Sequence, residues 1–211
     1  MIKAVVFDFD FTLGDSAKGI IASVNYALQK MGYAQAAEET IKKTIGLSLA
    51  KTLEALTGNS EDGLTFETYF KEKADEVMVA GTTLYDGIAE MLSSLHAQGI
   101  ELAIVTTKYH YRIEQILAVN RIGHLIDGIV GGDDVKNPKP NPEGMKLLAE
   151  RLGIRAEEML YVGDSIVDAK TAKAAGVTFI AVLTGTTKAE EFAAYPCKKI
   201  LAEAAELILQ L

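Results

Sequence analysis

The sequence predicts an α/β fold, a Rossmann-like parallel sheet with helices on both faces, interrupted once by an inserted α-helical cap. Three observations carry this. Four runs rich in Val and Ile, Lys3 to Phe9, Glu101 to Thr106, Met159 to Val162 and Thr178 to Leu183, read as buried parallel strands, with Ile126 to Val130 a weaker fifth. Helical periodicity fills the gaps from Tyr85 onward, in Ile88 to Leu95, Ile113 to Leu117 and Met145 to Leu152. Residues 15–84 break the alternation, with three or four amphipathic helical stretches and no convincing strand.

The expected division is therefore a core of residues 1–14 and 85–211, and a cap of residues 15–84. Its edges are the polar Gly14-Asp15-Ser16 and the Tyr85-Asp86-Gly87 turn, which could act as hinges. Gly99, Gly153 and Gly176 each follow a helical pattern and precede a strand, where a left-handed C-terminal cap is expected. Asn141 and Pro142 form an N-cap and first helical position.

At 211 residues and 49% hydrophobic, the chain is long and apolar enough to bury its own core. Its single cysteine, Cys197, excludes an internal disulfide and a cysteine-built zinc site, and reads as a packing residue. Asp8 stands where a signal peptide would need apolar residues, and no apolar run approaches a membrane span, so a soluble cytoplasmic protein is expected. A net charge of −8 disfavours nucleic acid and anionic membranes as partners. An anionic substrate would have to be attracted locally.

The chemistry-bearing residues fall at the carboxyl ends of the expected strands, where ligands bind in a parallel sheet. The first strand ends in Asp8-Phe-Asp-Phe-Thr12, the second in Thr106-Thr107, a later one in Gly163-Asp164-Ser165, and Lys139 precedes that strand's helix. At a strand end, where the chain turns, two carboxylates spaced by one residue can reach one site. One can then attack as a nucleophile while the other handles protons for the leaving group and for water. A magnesium site would draw on Asp8, Asp10 and Asp164, a backbone carbonyl and waters among its oxygens, with Asp168 and Ser165 behind them. Lys139, flanked by Pro138, Pro140 and Pro142, and Thr106 would cradle a phosphoryl group, together with Thr12 and the N–H of Thr107.

Taken together these segments resemble the haloacid dehalogenase superfamily, and more closely its phosphoglycolate phosphatase branch. The closer likeness rests on Val105-Thr-Thr-Lys108, Gly131-Gly-Asp-Asp134, Lys139-Pro-Asn-Pro-Glu143 and Tyr161-Val-Gly-Asp-Ser165. The resemblance implies Asp8 as nucleophile, Asp10 as acid and base, Thr106 and Lys139 as phosphate ligands, Asp164 as a metal ligand and Asp168 as a support. It implies hydrolysis of a small phosphorylated metabolite; the cap's apolar stripes could close on the core or on another subunit, so a monomer and a homodimer both stay open. One departure is Phe11, where the family often has glycine.

Plainer readings stand beside these. Paired aspartates after a strand also make turns and caps, Asp164 and Asp168 suit a helix start, and Lys139 could be a solvated loop lysine. Gly131 to Asp134 reads as a loop rather than a second metal site, and His96, His110 and His124 lack metal-ligand spacing. Tyr109, Tyr111 and Arg112 read as an exposed first turn of a helix, and Lys18, Lys42, Lys43 and Lys51 as a solvated cap face. Asp10 argues against dehalogenation and phosphonate cleavage, which lack that second carboxylate in this superfamily. Sugar phosphomutase and pyrophosphatase activities retain it, although Gly46-Leu-Ser-Leu49 lacks the basic residue of the sugar phosphomutases. A non-enzymatic phosphoacceptor would carry its aspartate on a later strand.

Overall fold

The computed structural model describes residues 1–209. The chain forms two compact units, one of residues 1–14 and 84–211 and one of residues 15–83. Strand β1 (Ala4–Phe7) is followed by the two-residue β2 (Gly14–Asp15). Next come helices α1 (Ala17–Lys30), α2 (Glu38–Lys42), α3 (Leu49–Thr57) and α4 (Gly63–Val77), and then β3 (Thr83–Leu84), the partner of β2. From there helices and strands alternate: α5 (Ile88–Ala97), β4 (Glu101–Val105), α6 (His110–Val119), β5 (Gly128–Val130), α7 (Glu143–Leu152), β6 (Met159–Gly163), α8 (Ile166–Ala175), β7 (Thr178–Val182) and β8 (Lys199–Leu201).

The helical unit has a core of its own, with Val24, Leu28, Ile41, Leu53, Phe66, Phe70 and Met78 buried together. Periodic apolar positions on α1 and α4 supply most of it.

The other unit is a six-stranded parallel sheet in the order β5-β4-β1-β6-β7-β8. The chain lays β4 and β5 on one side of β1, then crosses back to place β6, β7 and β8 on the other. Alternate residues Val6, Ala103, Tyr161 and Phe179 share one apolar face with Met145 and Leu148 of α7 and Ala169 and Ala172 of α8. Helix α5 packs on β4 and α6 on β5. Register sets the site, because Phe7 pairs with both Ile104 and Val162. The carboxyl ends of the three central strands are thus level, and the residues just beyond each of them emerge on one rim.

The strands differ from expectation mainly at their ends. Phe9, Thr106 and Leu183 fall outside at the carboxyl ends, where the chain turns as the ligand-facing residues begin, and Lys3 falls outside at the amino end of β1. Edge strand β8 has no apolar run to announce it, since Lys199 and Ile200 are exposed and only Leu201 is buried. Gly99, Gly153 and Gly176 do adopt left-handed φ values of 77°, 66° and 70°. Pro142, rather than Asn141, is the N-cap of α7, yet the Asn141 side chain still accepts the Glu143 N–H at 3.0 Å. Cys197 packs part-buried against the sheet core. No helix among the described residues is long and apolar enough to cross a membrane.

Phe66 is fully buried. Phe66→Ala should lower the unfolding free energy of the helical unit by about 3–5 kcal/mol in a denaturant titration.

Candidate active site

Asp8 comes directly after β1 and its N–H still donates to the Val162 carbonyl at 2.9 Å, so its side chain is placed by the sheet itself. The chain then folds into a tight turn in which the Phe9 carbonyl accepts N–H bonds from Thr12, Leu13 and Gly14. Phe11 takes a φ of +61° to complete this turn, a conformation that favours glycine, and its carbonyl accepts the Thr184 hydroxyl. Phe11 thus accepts backbone strain that glycine, the residue the resemblance implies here, would avoid.

Lys139 is buried and reaches three oxygens: Asp168 Oδ1 at 2.6 Å, the Tyr161 hydroxyl at 3.0 Å and Asp8 Oδ1 at 2.9 Å. The first two are directed hydrogen bonds, whereas Asp8 Oδ1 has no directed partner, so the Asp8 contact is ionic. The loop carrying Lys139 is stiffened by its prolines and by Glu143, whose carboxylate accepts the Lys136 and Asn137 N–H groups at 2.8 and 3.1 Å.

Asp168 is fully buried and fully used. Oδ1 serves Lys139 and Tyr161, while Oδ2 accepts the Ser165 N–H at 3.1 Å and the Ser165 hydroxyl at 2.5 Å. Ser165 is also the N-cap of α8. Tyr161 lies mid-strand with its hydroxyl 2.8 Å from Asp168 Oδ1 and 3.0 Å from the Val105 carbonyl. Burial first, then the charges of Asp168 and Asp8, raise its ionisation far above the ordinary phenol value, so it keeps its proton.

Asp8, Asp164 and Asp168 bring carboxylate oxygens within 4.8 Å of one another. Lys139 is the one cation joined to this group by a described contact, which leaves a surplus of negative charge. Burial pushes Asp8 up to about 6 despite the pull of Lys139, and raises Asp164 well above the usual carboxylate range, with Asp168 and Asp8 adding to the effect. For Lys139 burial works downward, but Asp168 and Asp8 outweigh it and hold the ammonium charged. Crowded, desolvated carboxylates with oxygen lone pairs to spare suit a hard divalent cation. Since Asp168 is saturated, Asp8 and Asp164 are the side chains able to hold one.

Asp10 is buried but turns elsewhere, its Oδ1 lying 3.1 Å from Lys108 Nζ. Its carboxylate is not part of the three-aspartate group. The Thr12 hydroxyl donates to Asp164 Oδ1 at 3.4 Å, Thr106 is buried with Oγ1 accepting the Lys108 N–H at 3.3 Å, and Thr107 is half-buried. Gly131 to Asp134 is a loop fastened to α6: Asp133 accepts the His110 N–H and Asp134 meets His110 Nδ1, each at 2.7 Å. Arg112 is buried, not exposed, with its guanidinium over the rings of Tyr109 and Tyr111.

Three contributors have no role in the sequence reading. Lys108 and Tyr161 enter it by name only within the segments that carry the family likeness, and Gly185 does not enter it. Gly185 acts through what it lacks, since a Cβ there would lie 1.8 Å from Asp164 Oδ2.

A parallel sheet that gathers carboxylates, a buried lysine and hydroxyls on the rim of its central strands is the architecture of an enzyme acting on a phosphoryl group. The family of Haloacid dehalogenase-like hydrolases matches residues 5–182, and the chain belongs to it, among its phosphoric monoester hydrolases. The phosphoglycolate phosphatase of Salmonella typhimurium is 35% identical over 219 aligned positions, spanning 91% of this chain and 85% of that protein. The phosphoglycolate phosphatase of Escherichia coli K12 is 34% identical, over 87% of this chain and 82% of its own. A solved structure described as a haloacid dehalogenase-like hydrolase, from Bacteroides fragilis, is 40% identical with a TM-score of 0.95, covering 98% of this chain and all of that one.

Divalent cation binding should show two effects. Because metal must displace the proton from Asp8, apparent magnesium affinity in calorimetric titrations should rise as pH climbs through about 6. Gly185→Ala should weaken that affinity by about tenfold to a hundredfold by displacing the Asp164 carboxylate.

Proposed function

We propose that the protein is a magnesium-dependent phosphatase that hydrolyses a small, phosphoglycolate-like phosphomonoester through an aspartyl-phosphate on Asp8. One observation carries this reading. Two aspartates separated by a single residue are buried against different lysines, Asp8 against Lys139 and Asp10 against Lys108. Each carboxylate has its own counter-charge, so the two can take different parts in one reaction.

Asp8 attacks phosphorus and the bond to the ester oxygen breaks, with Asp10 delivering a proton to that oxygen. Asp10 then takes a proton from water as the water attacks phosphorus, releasing phosphate and regenerating Asp8. Lys139, Thr106 and the Thr107 N–H hold the equatorial oxygens, and Thr12 steadies Asp164. Magnesium, held by Asp8, Asp164 and the backbone carbonyl of Asp10 with waters, would supply positive charge to the phosphoryl oxygens. Asp168, Tyr161 and Ser165 keep Lys139 and the start of α8 in place. Phosphoglycolate, which gives the Salmonella and Escherichia coli relatives their name, supports a small acidic ester as substrate, and the net charge of −8 agrees with neither nucleic acid nor an anionic membrane as partner. On this reading the enzyme works in the cytoplasm, as a monomer or homodimer.

The test compares parent and Asp8→Asn on a panel of phosphomonoesters with magnesium, reading free phosphate. Turnover should fall by at least about a thousandfold, and undiminished release by the variant would remove the proposed nucleophile. Acid quenching of the parent during turnover, then borohydride reduction, should convert Asp8 to homoserine, detectable by peptide mass.

A further inference from the structure

The ion pair between Lys108 and Asp10 has a part in the reaction that the roles above leave unassigned. Both side chains are less than a tenth exposed, with Nζ 3.1 Å from Oδ1. Oδ1 of Asp10 has no directed hydrogen bond, so charge alone holds the two together. The backbone of Lys108 is fixed on both sides, its N–H on Thr106 Oγ1 at 3.3 Å and its carbonyl accepting the Gly132 N–H at 2.9 Å. Gly132 packs so close that a Cβ would lie 2.4 Å from the Thr107 carbonyl oxygen. The lysine is therefore held beside Asp10 by its loop.

This placement separates the two lysines by task. Lys139 stands at the nucleophile and serves the phosphoryl group. Lys108 stands at the residue that serves the ester oxygen, and so beside the alcohol being released. To deliver its proton Asp10 must turn from Lys108 toward that oxygen. Turning Asp10 away weakens the charge compensation of a buried ammonium, and an anion arriving there restores it. A carboxylate borne by the ester carbon itself would be such an anion, able to take the place of Asp10 at Nζ.

We infer that Lys108 is a specificity-determining residue that binds a carboxylate on the alcohol portion of the substrate, exchanging it for Asp10 as the acid moves to the ester oxygen. The inference rests on the phosphatase reading above and adds the feature by which substrates are sorted. Charge at the ammonium is conserved: Asp10 takes up a proton from solvent as it turns to the ester oxygen, and the substrate's carboxylate supplies the negative charge that Asp10 gave up at Nζ.

The experiment measures kcat/KM of parent and Lys108→Met on phosphoglycolate and on 2-hydroxyethyl phosphate, which ends in a neutral hydroxyl. The parent should favour phosphoglycolate by about tenfold to a hundredfold, the worth of a hydrogen bond to a charged group, and the variant should bring the ratio near unity. A parent ratio near unity, or a ratio that survives in Lys108→Met, overturns the inference while leaving phosphatase activity standing. If the variant does not fold, glycolate should inhibit the parent's turnover of 2-hydroxyethyl phosphate far better than ethylene glycol does, and equal inhibition by the two overturns the inference. No hydrolysis of any phosphomonoester by the parent with magnesium overturns the phosphatase reading and this inference together.

Discussion

Lys139 keeps a positive charge in the interior because Asp168 and Asp8 share it, and the geometry of the site descends from that arrangement. Removing either carboxylate would leave an ammonium with too little compensation, a far larger penalty than the pair contributes as a bond. The network ties together parts of the chain distant in sequence. Asp168 belongs to the start of α8, Tyr161 to β6, Asp8 to the end of β1 and Lys139 to a proline-stiffened loop. Through the Tyr161 hydroxyl the network also reaches the carbonyl of Val105, the last residue of β4 before Thr106. A single buried cation thus reports on three adjacent strands at once.

Those strands can meet at one cation because they are level. Phe7, Ile104 and Val162 share one register line, so the residues next in sequence after each of them are also neighbours in space. The buried apolar runs hold this line, since both faces of these strands are covered and a slip of one residue would exchange the side chains fitted to the two faces. Packing energy in the sheet is the reason the carboxylates stand where they do.

Much of this was legible in the sequence, for a physical reason. Asp8, Thr106 and Asp164 are polar residues that end apolar runs, and Lys139 is framed by three prolines, so each contrasts with its surroundings. Helices α1 to α4 were legible as periodicity without intervening strands. The features that escaped notice lack such contrast. Tyr161 hides in a strand because most of its ring is apolar and only the hydroxyl does polar work. Lys108 resembles any loop lysine until burial is known, and Gly185 contributes the absence of a side chain. Strand β8 carries almost no signal because an edge strand with one buried residue has almost no alternation, and the burial of Arg112 against the tyrosine rings is likewise a product of packing.

Lys139 is committed to its neighbours by all but one of its protons. An ammonium has three protons, and here two are committed to directed bonds with Asp168 and Tyr161. The remaining proton lies on the Asp8 side, so toward a ligand this lysine behaves as a donor of fixed direction and single valence. Arginine, whose planar fork presents donors in pairs, has no equivalent arrangement among the same three neighbours. The position is therefore closed to the exchange between basic residues that surfaces tolerate, even though the charge would be unchanged.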